Sequence, residues 1–114
     1  MEKAIQEKSF HFAVRIVKLC KYLRENAKEY DMTKQLIRSG TSVGANVTEA
    51  QQAQSRADFV HKLSIALKEA YETNYWLRLL NATGYLEGKA YDSVMADCSE
   101  LEKMLITIVK SAKE

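Results

Sequence analysis

The sequence predicts an all-α protein, an antiparallel up-down-up-down four-helix bundle formed by a single domain over residues 1–114. Two observations predict this class. The 114 residues include no proline and only four glycines, which favours a few long helices over many tight turns. Four long segments also carry apolar residues at spacings of three and four, the period of an amphipathic helix. A chain of this length buries about two-thirds of its unfolded surface, so it can form a core without disulfides or metals.

The first predicted helix runs from Ser9 to Lys28, and the segment from Lys28 to Asp31 is predicted to end it. Apolar residues at helical spacing define one face of this helix. That face consists of Phe12, Ile16, Leu19, Cys20, Leu23 and Ala27.

The second predicted helix, from Thr33 as a candidate N-cap to Gln54, contains the stretch RSGTSVGANVTEA at residues 38–50. Glycines among hydroxyl residues can form a phosphate-binding loop, but that loop requires G-x-x-x-x-G-K-[ST] after a strand. Here Gly40 and Gly44 are four residues apart and no lysine follows them. We therefore predict a helix whose glycines let a neighbouring backbone approach closely. Its apolar stripe passes through the glycines and consists of Leu36, Gly40, Val43, Val47 and Ala50.

The third predicted helix begins after Ser55, with Asp58 positioned to complete a capping box, and ends near Thr83. The segment GYLEG, residues 84–88, is predicted to be a turn. The fourth helix follows from Lys89 to Ala112. Short connections between long helices place successive helices antiparallel. The apolar faces consist of Phe59, Leu63, Ala66, Leu67, Ala70, Asn74 and Leu77 in the third helix and Tyr91, Val94, Cys98, Leu101, Leu105, Ile108 and Ala112 in the fourth.

Two motifs in the second and third predicted helices match a known family. The first motif consists of Arg38, Ser39, Ser42, Val43, Gly44, Ala45, Asn46, Glu49 and Ala50. The second consists of Asp58, Phe59, Leu63, residues 65–70, Glu72, Thr73 and residues 75–77. Over nearly its whole length the chain resembles the bacterial four-helix-bundle proteins named for open reading frames in intervening sequences of 23S ribosomal RNA genes. Those proteins are related to the accessory variability proteins of diversity-generating retroelements.

The resemblance implies a bundle that assembles into a ring-shaped oligomer, a homopentamer. For the retroelement relatives it implies a basic barrel that binds nucleic acid and a reverse transcriptase. A reverse transcriptase is therefore implied as a partner only where a retroelement lies nearby. For the intervening-sequence branch, which this chain resembles more closely, the resemblance implies no established biochemical activity.

Two predicted helices carry a second apolar face away from the core, which indicates a subunit interface. A ring requires two different patches on each subunit, and these two could meet head to tail. The alternative for the third helix is a tryptophan that lies flat beneath long lysine side chains. The predicted interface residues are Phe10, Val14 and Val17 in the first helix and Ile65, Glu69, Glu72, Trp76 and Leu79 in the third.

Basic residues cluster around the end of the first helix, although the net charge of the chain is only +2. Glu25, Glu29 and Asp31 lie in the same region, so an ordinary solvated face is the alternative to a binding surface. No ladder of aromatic residues accompanies the cluster, so we expect phosphate contacts rather than sequence readout. The predicted nucleic-acid-binding residues are Arg15, Lys18, Lys21, Arg24, Lys28 and Lys34.

No pattern in the chain is typical of catalysis or metal binding. A di-iron site in a helical bundle needs paired Glu-x-x-His motifs, and Glu49, Glu69 and Glu72 each lack a histidine three residues later. We therefore expect a non-enzyme without catalytic residues, metal or cofactor. The three carboxylates are instead predicted to pair with Arg38, Lys62 or Lys68, either within one subunit or between subunits.

Cys20 and Cys98 show neither a CxxC spacing nor a nearby histidine pair, so we expect reduced core thiols in the cytoplasm. The start MEKAIQEKSF lacks the apolar run of a signal peptide, and no stretch approaches the roughly 18 apolar residues that span a bilayer. These observations predict a soluble protein that does not associate with membranes.

The function that the sequence predicts is that of a non-enzymatic, oligomeric accessory protein that associates with RNA or DNA through its basic surface. The alternative is a protein-interaction scaffold with no nucleic-acid role. The two differ in whether the basic face stays exposed or is neutralised by acidic groups of a neighbouring subunit.

Overall fold

The computed structural model of the chain describes residues 2–114. This part contains four α-helices and no strand: α1 (Glu2–Ala27), α2 (Asp31–Ala50), α3 (Arg56–Ala82) and α4 (Gly88–Lys113). The prediction of an all-α protein with four helices is confirmed. None of these helices combines the length and the apolar character needed to cross a membrane.

α1 begins at Glu2, seven residues before the predicted start at Ser9. Ile5 and Ser9 are buried and continue the stripe of Phe12 and Ile16 toward the N-terminus at steps of four and three. The predicted start was wrong because Ile5 is the one large apolar side chain in a segment of charged and polar residues. A single buried residue per turn is enough to hold that end of the helix on the bundle.

α2 begins at Asp31, so the prediction that Thr33 is its N-cap was wrong. The carboxylate of Glu29 accepts hydrogen bonds from the backbone amides of Asp31, Met32 and Thr33 at 2.8–3.1 Å. These are amides at the start of a helix that have no partner within the helix itself. Thr33 lies inside the helix, buried, and its hydroxyl donates to the Glu29 carbonyl at 2.8 Å. The carboxylate of Glu29, and not the hydroxyl of Thr33, therefore caps α2.

α2 ends at Ala50 rather than at Gln54, because the amides of residues 51–53 donate to carbonyls only three residues back and tighten the last turn. Ser55 caps α3 as predicted. Its hydroxyl accepts from the Asp58 amide at 3.0 Å, while the Asp58 carboxylate accepts from the Gln54 amide at 3.2 Å. This pair of bonds resembles a capping box, except that the Asp58 carboxylate binds the amide of the residue before the N-cap and not that of the N-cap itself.

The glycine-containing stretch is helical, as predicted, and its glycines face α1. A Cβ built on Gly40 would lie 2.8 Å from Cγ2 of Ile16, and one built on Gly44 would lie 3.2 Å from the backbone oxygen of Ser9. Side chains at either position would push the two helices apart. The stretch is therefore a helix narrowed for packing, and the phosphate-loop alternative is wrong.

Each helix packs against two others, α1 on α2, α2 on α3, α3 on α4 and α4 on α1. The molecule measures 44 × 20 × 19 Å. A helix of 26 residues is about 39 Å long, so each of the longer helices spans most of the long axis of the molecule. The centre is filled mainly by residues of the predicted apolar stripes, but Ala27 of the α1 stripe is exposed because α1 ends there. α2 and α3 also share a buried pair of hydroxyls, Ser39 and Thr73, with their oxygens 3.0 Å apart. The chain thus forms a four-helix bundle.

Candidate nucleic-acid interface

Lysine side chains are concentrated where α1 ends and α2 begins. Lys18 and Lys21 lie on the outward face of α1, Lys28 lies in the connection, and Lys34 lies near the start of α2. All four side chains are exposed, and within residues 2–114 none of them forms an ion pair. These four lysines and Arg24 are called the basic end below.

Arg24 is fixed between the two helices. Its Nε donates to Oγ1 of Thr33 at 2.9 Å, so the guanidinium is held by α2 while it projects from α1. An arginine held in this way loses little freedom when it binds a phosphate through its terminal nitrogens. The structure therefore places Arg24, Lys21, Lys28 and Lys34 around the connection, with Lys18 about 14 Å back along α1.

The nearby acidic residues only partly offset this charge. Glu29 is 8% exposed, and its carboxylate is turned inward to cap α2, where the positive end of the helix dipole stabilises it. Glu25 and Asp31 are exposed. The basic end therefore keeps an excess of positive charge at the surface.

Arg15, one helical turn before Lys18, was predicted to be part of the same binding surface, but its side chain is engaged by α4. Its guanidinium donates to Asp97 of α4 at 2.6 Å and to Oγ of Ser93 at 3.0 Å. The ion pair with Asp97 already neutralises the charge of Arg15 within the chain. The sequence could not show this pairing, because Asp97 of α4 lies beside Arg15 only in the folded chain.

Two tyrosines accompany the basic end, and the reasoning from sequence missed both of them. Tyr22 is 61% exposed and lies four residues after Lys18, on the same side of α1. Tyr30 is 57% exposed and lies two residues after Lys28 in the connection. The spacing of Tyr22 from Lys18 was visible in the sequence, but the exposure of Tyr30 depends on the path of the turn.

The predicted interface residues of α1 line a shallow apolar groove. Phe10 is 71% exposed, Val17 is exposed and Val14 is half-buried, and together with Ala13 and Lys18 they enclose about 330 Å³. Val14 and Lys18 are one helical turn apart and therefore adjacent on the surface. If a partner covered the groove, Lys18 would lie at the rim of that interface.

The predicted interface residues of α3 form a network with α2. Arg38 donates to Glu69 at 2.9 Å and also to Glu72, and the indole N–H of Trp76 donates to Glu72 at 3.0 Å. The indole and Arg38 together hold the pKa of Glu72 below its ordinary value. Ile65, Trp76 and Leu79 are half-buried within the single chain. The predicted pairing of the glutamates with Arg38 is confirmed, as is that of Glu49 with Lys62, at 3.0 Å.

Both cysteines are free and buried, as predicted. Burial raises the pKa of the Cys20 thiol to about 11, and burial followed by the charge of Glu102 raises the pKa of Cys98. A reactive cysteine needs the opposite shift, toward the thiolate. Within residues 2–114, no three His, Cys, Asp or Glu side chains are arranged to hold a metal ion.

Comparison with known proteins identifies a family and similar solved structures. The sequence profile of the family described as 23S rRNA-intervening sequence protein matches residues 1–107. A crystal structure of a protein of unknown function from the S23 ribosomal protein family of Bacteroides thetaiotaomicron VPI-5482 is 55% identical. The match covers 96% of this chain and 97% of the other, with a TM-score of 0.94. A comparison with curated proteins gave no match.

Proposed function

Because the chain belongs to the family of 23S rRNA-intervening sequence proteins, we propose that it is a non-enzymatic accessory protein that binds RNA through its basic end. One observation carries the proposal. Three exposed lysines, Lys21, Lys28 and Lys34, lie around the α1–α2 connection, and a fourth, Lys18, lies further back along α1. None of the four forms an ion pair within residues 2–114, while the nearest buried acid, Glu29, is committed to capping α2. Lysines in this state bind phosphates and release counterions when they do.

The names of the family and of the structural neighbour direct the choice of ligand. One refers to a 23S rRNA-intervening sequence and the other to a ribosomal protein family. RNA is therefore the first polyanion to test, with DNA as the comparison. The proposal places no chemistry at this surface, and the raised pKa values of both thiols support a packing role for the cysteines.

The proposal includes an up-down-up-down course of the helices. Contacts along α1 and α2 support it: Ser9 meets Gly44 and Ile16 meets Gly40, so residue numbers rise in one helix as they fall in the other. The α1–α4 contacts follow the same order, because Lys8 pairs with Glu100 while Arg15 pairs with Asp97. In such a bundle the α1–α2 and α3–α4 connections lie at one end, far from the chain termini.

We further propose that the chain assembles in the cytoplasm as a ring-shaped oligomer. The number of subunits we propose is five, as the family resemblance implies. The exposed groove around Phe10 supports one half of a head-to-tail contact. The half-buried side chains of Ile65, Trp76 and Leu79 on α3 are the proposed other half. Two buried free thiols fit a reducing compartment.

The experiment is a salt series of binding isotherms with a labelled RNA hairpin and single-stranded DNA. We expect log affinity to fall linearly with log salt, and the double variant Lys21→Glu/Lys28→Glu to weaken binding and flatten the slope by about 2. The matched control, Lys103→Glu/Lys110→Glu, changes the net charge equally on exposed positions of α4. Equal loss in both variants would show attraction by net charge alone and would overturn the assignment to the basic end.

The alternative, a protein-interaction scaffold, is favoured by the exposed groove around Phe10. It predicts no polyanion binding at physiological salt by an intact oligomer. Phe10→Ser separates assembly from stability, because a side chain that is 71% exposed contributes little to the folded monomer. If Phe10 lies in a subunit contact, we expect a smaller mass by light scattering and a melting temperature lowered only by the loss of assembly. An unchanged mass would remove α1 from the interface.

A further inference from the structure

The α1–α2 connection contains a backbone conformation that its sequence does not favour. Lys28 has a φ of +53°, and within residues 2–114 it is the one residue other than glycine with a positive φ. L-residues with a Cβ are strained in this left-handed region, whereas glycine adopts it freely. At the corresponding place after α3 the chain does use glycine, Gly84, with a φ of +84°.

The surroundings of Lys28 do not require a lysine. Its side chain is exposed and forms no ion pair within the described residues, and the amide of the next residue, Glu29, closes the turn by donating to the Leu23 carbonyl at 3.4 Å. That bond is between backbone groups and would survive with glycine. A basic side chain near a helix C-terminus gains a little from the helix dipole, but Arg24 already lies in the last turn of α1. Backbone strain retained without a structural need indicates a functional side chain.

The aromatic rings near Lys28 add a second, independent observation. Tyr22 and Tyr30 are each more than half exposed. Tyr22 directly follows the exposed Lys21, and Tyr30 lies two residues after the exposed Lys28, between Glu29 and the exposed Asp31. From Tyr22 to the end of α1 the helix rises only about 8 Å, so both rings lie in the neighbourhood of the same turn. Exposed rings among lysines match sites in which bases stack on aromatic faces while cations track the phosphates.

The geometry points to a site for unpaired nucleotides at the α1–α2 connection, with bases stacked on Tyr22 and Tyr30 and phosphates bound by Lys28 and Lys21. This inference rests on the proposed function and deepens it, because it names single-stranded segments as the preferred RNA. In a duplex the faces of the bases are stacked on one another and are not available to the tyrosines. Unpaired loops and ends expose those faces.

The first test compares a fluorescently labelled single-stranded RNA with the same RNA annealed to its complement. We expect the wild-type protein to bind the single strand about tenfold more tightly, and Tyr22→Ala/Tyr30→Ala to lose that preference. Tyr22→Phe/Tyr30→Phe keeps the rings and should keep the preference. Tyr71→Ala, at a similarly exposed tyrosine of α3, is the matched control and should change neither affinity.

A preference for the duplex, or an unchanged single-strand preference in the double alanine variant, overturns the inference. Neither result affects the proposed function if Lys21→Glu/Lys28→Glu still weakens binding. Absence of RNA binding by the folded wild-type protein overturns both.

The second test uses the strain at Lys28 directly. Lys28→Gly should raise the melting temperature by roughly 3 °C, because the left-handed conformation is relieved. The same variant should weaken single-strand binding and make the log–log salt slope shallower by about 0.7, the value for one phosphate contact. Lys28→Arg keeps the charge and should keep the affinity. A more stable Lys28→Gly protein with undiminished affinity would show that the lysine has no role in binding and would overturn its place in the site.

Discussion

α1 is joined to its two neighbours by different means. Toward α2 it meets glycines, so closely that the Ser9 carbonyl occupies the space next to Gly44. Toward α4 it is joined by the ion pairs Lys8–Glu100 and Arg15–Asp97, at 3.0 and 2.6 Å. One side of the helix depends on shape and the other on charge.

The difference predicts where the fold tolerates change. The α1–α2 contact is buried, and interiors packed at this density respond to a single added methyl group. The α1–α4 contact borders an open cleft of about 230 Å³, where water screens the charges of the ion pairs. The cleft is lined by Glu7, Lys8, His11, Asp97, Glu100 and Leu101. Sequence changes should therefore be costly along the first contact and nearly neutral along the second.

The largest effect is expected for Gly40→Val. The side chain would overlap Ile16, which is completely buried and cannot move aside, so we expect a loss of about 3 kcal/mol in the free energy of unfolding. Chemical denaturation measures this loss. Ala45→Val, on an exposed position of the same helix, is the control and should cost less than about 1 kcal/mol. Helix propensity alone favours valine over glycine, so a loss in Gly40→Val no larger than in Ala45→Val would contradict a tight α1–α2 contact.

The glycine contact is also the part of the fold that the sequence predicted best. The periodicity of Leu36, Val43 and Val47 continued through Gly40 and Gly44, and a regular period fixes which face of a helix is buried. The capping of α3 by Ser55 was equally local and equally predictable. In each case the deciding residues are neighbours in the sequence.

The parts that sequence reasoning missed depend on the path of the α1–α2 turn or on residues brought together by folding. Glu29 caps α2 because the connection turns its carboxylate back onto the helix. Arg15 looked like part of the basic surface until α4 placed Asp97 beside it. The exposure of Tyr30 and the left-handed backbone of Lys28 are likewise properties of the turn. Within the candidate site, the lysines were predictable and their geometry was not.

An intermediate effect is expected at alkaline pH from Cys20, which lies in the α1–α2 contact. Its folded pKa, about 11, lies above the ordinary value of 9.0, so the native state retains a proton that the unfolded chain loses. The stability from this group is therefore complete below pH 9 and declines as pH rises toward 11. At about pH 10 the decline amounts to about 1 kcal/mol.

Cys20→Ala isolates this contribution. The variant is less stable at every pH because it leaves a small cavity, but its stability should fall less steeply with pH between neutral and alkaline solution. Cys98 and the other titrating groups are common to both proteins and cancel in the difference. Parallel pH profiles for the two proteins would contradict the burial of a protonated thiol at Cys20.

The smallest effect is expected at the α1–α4 contact, from Asp97→Asn. Arg15 and Asp97 are each about one-third exposed, so the pair should contribute only about 0.5 kcal/mol, and less at high salt. A double-mutant cycle with Arg15→Gln measures the coupling energy between Arg15 and Asp97, separately from the other interactions that each residue makes. Because Arg15 is engaged with Ser93 and Asp97, Arg15→Gln should also leave RNA affinity unchanged, in contrast to Lys28→Gly. A coupling above about 2 kcal/mol that persists in salt would show that the pair is shielded from water in the assembled protein, and α4 would then join α1 in the subunit interface.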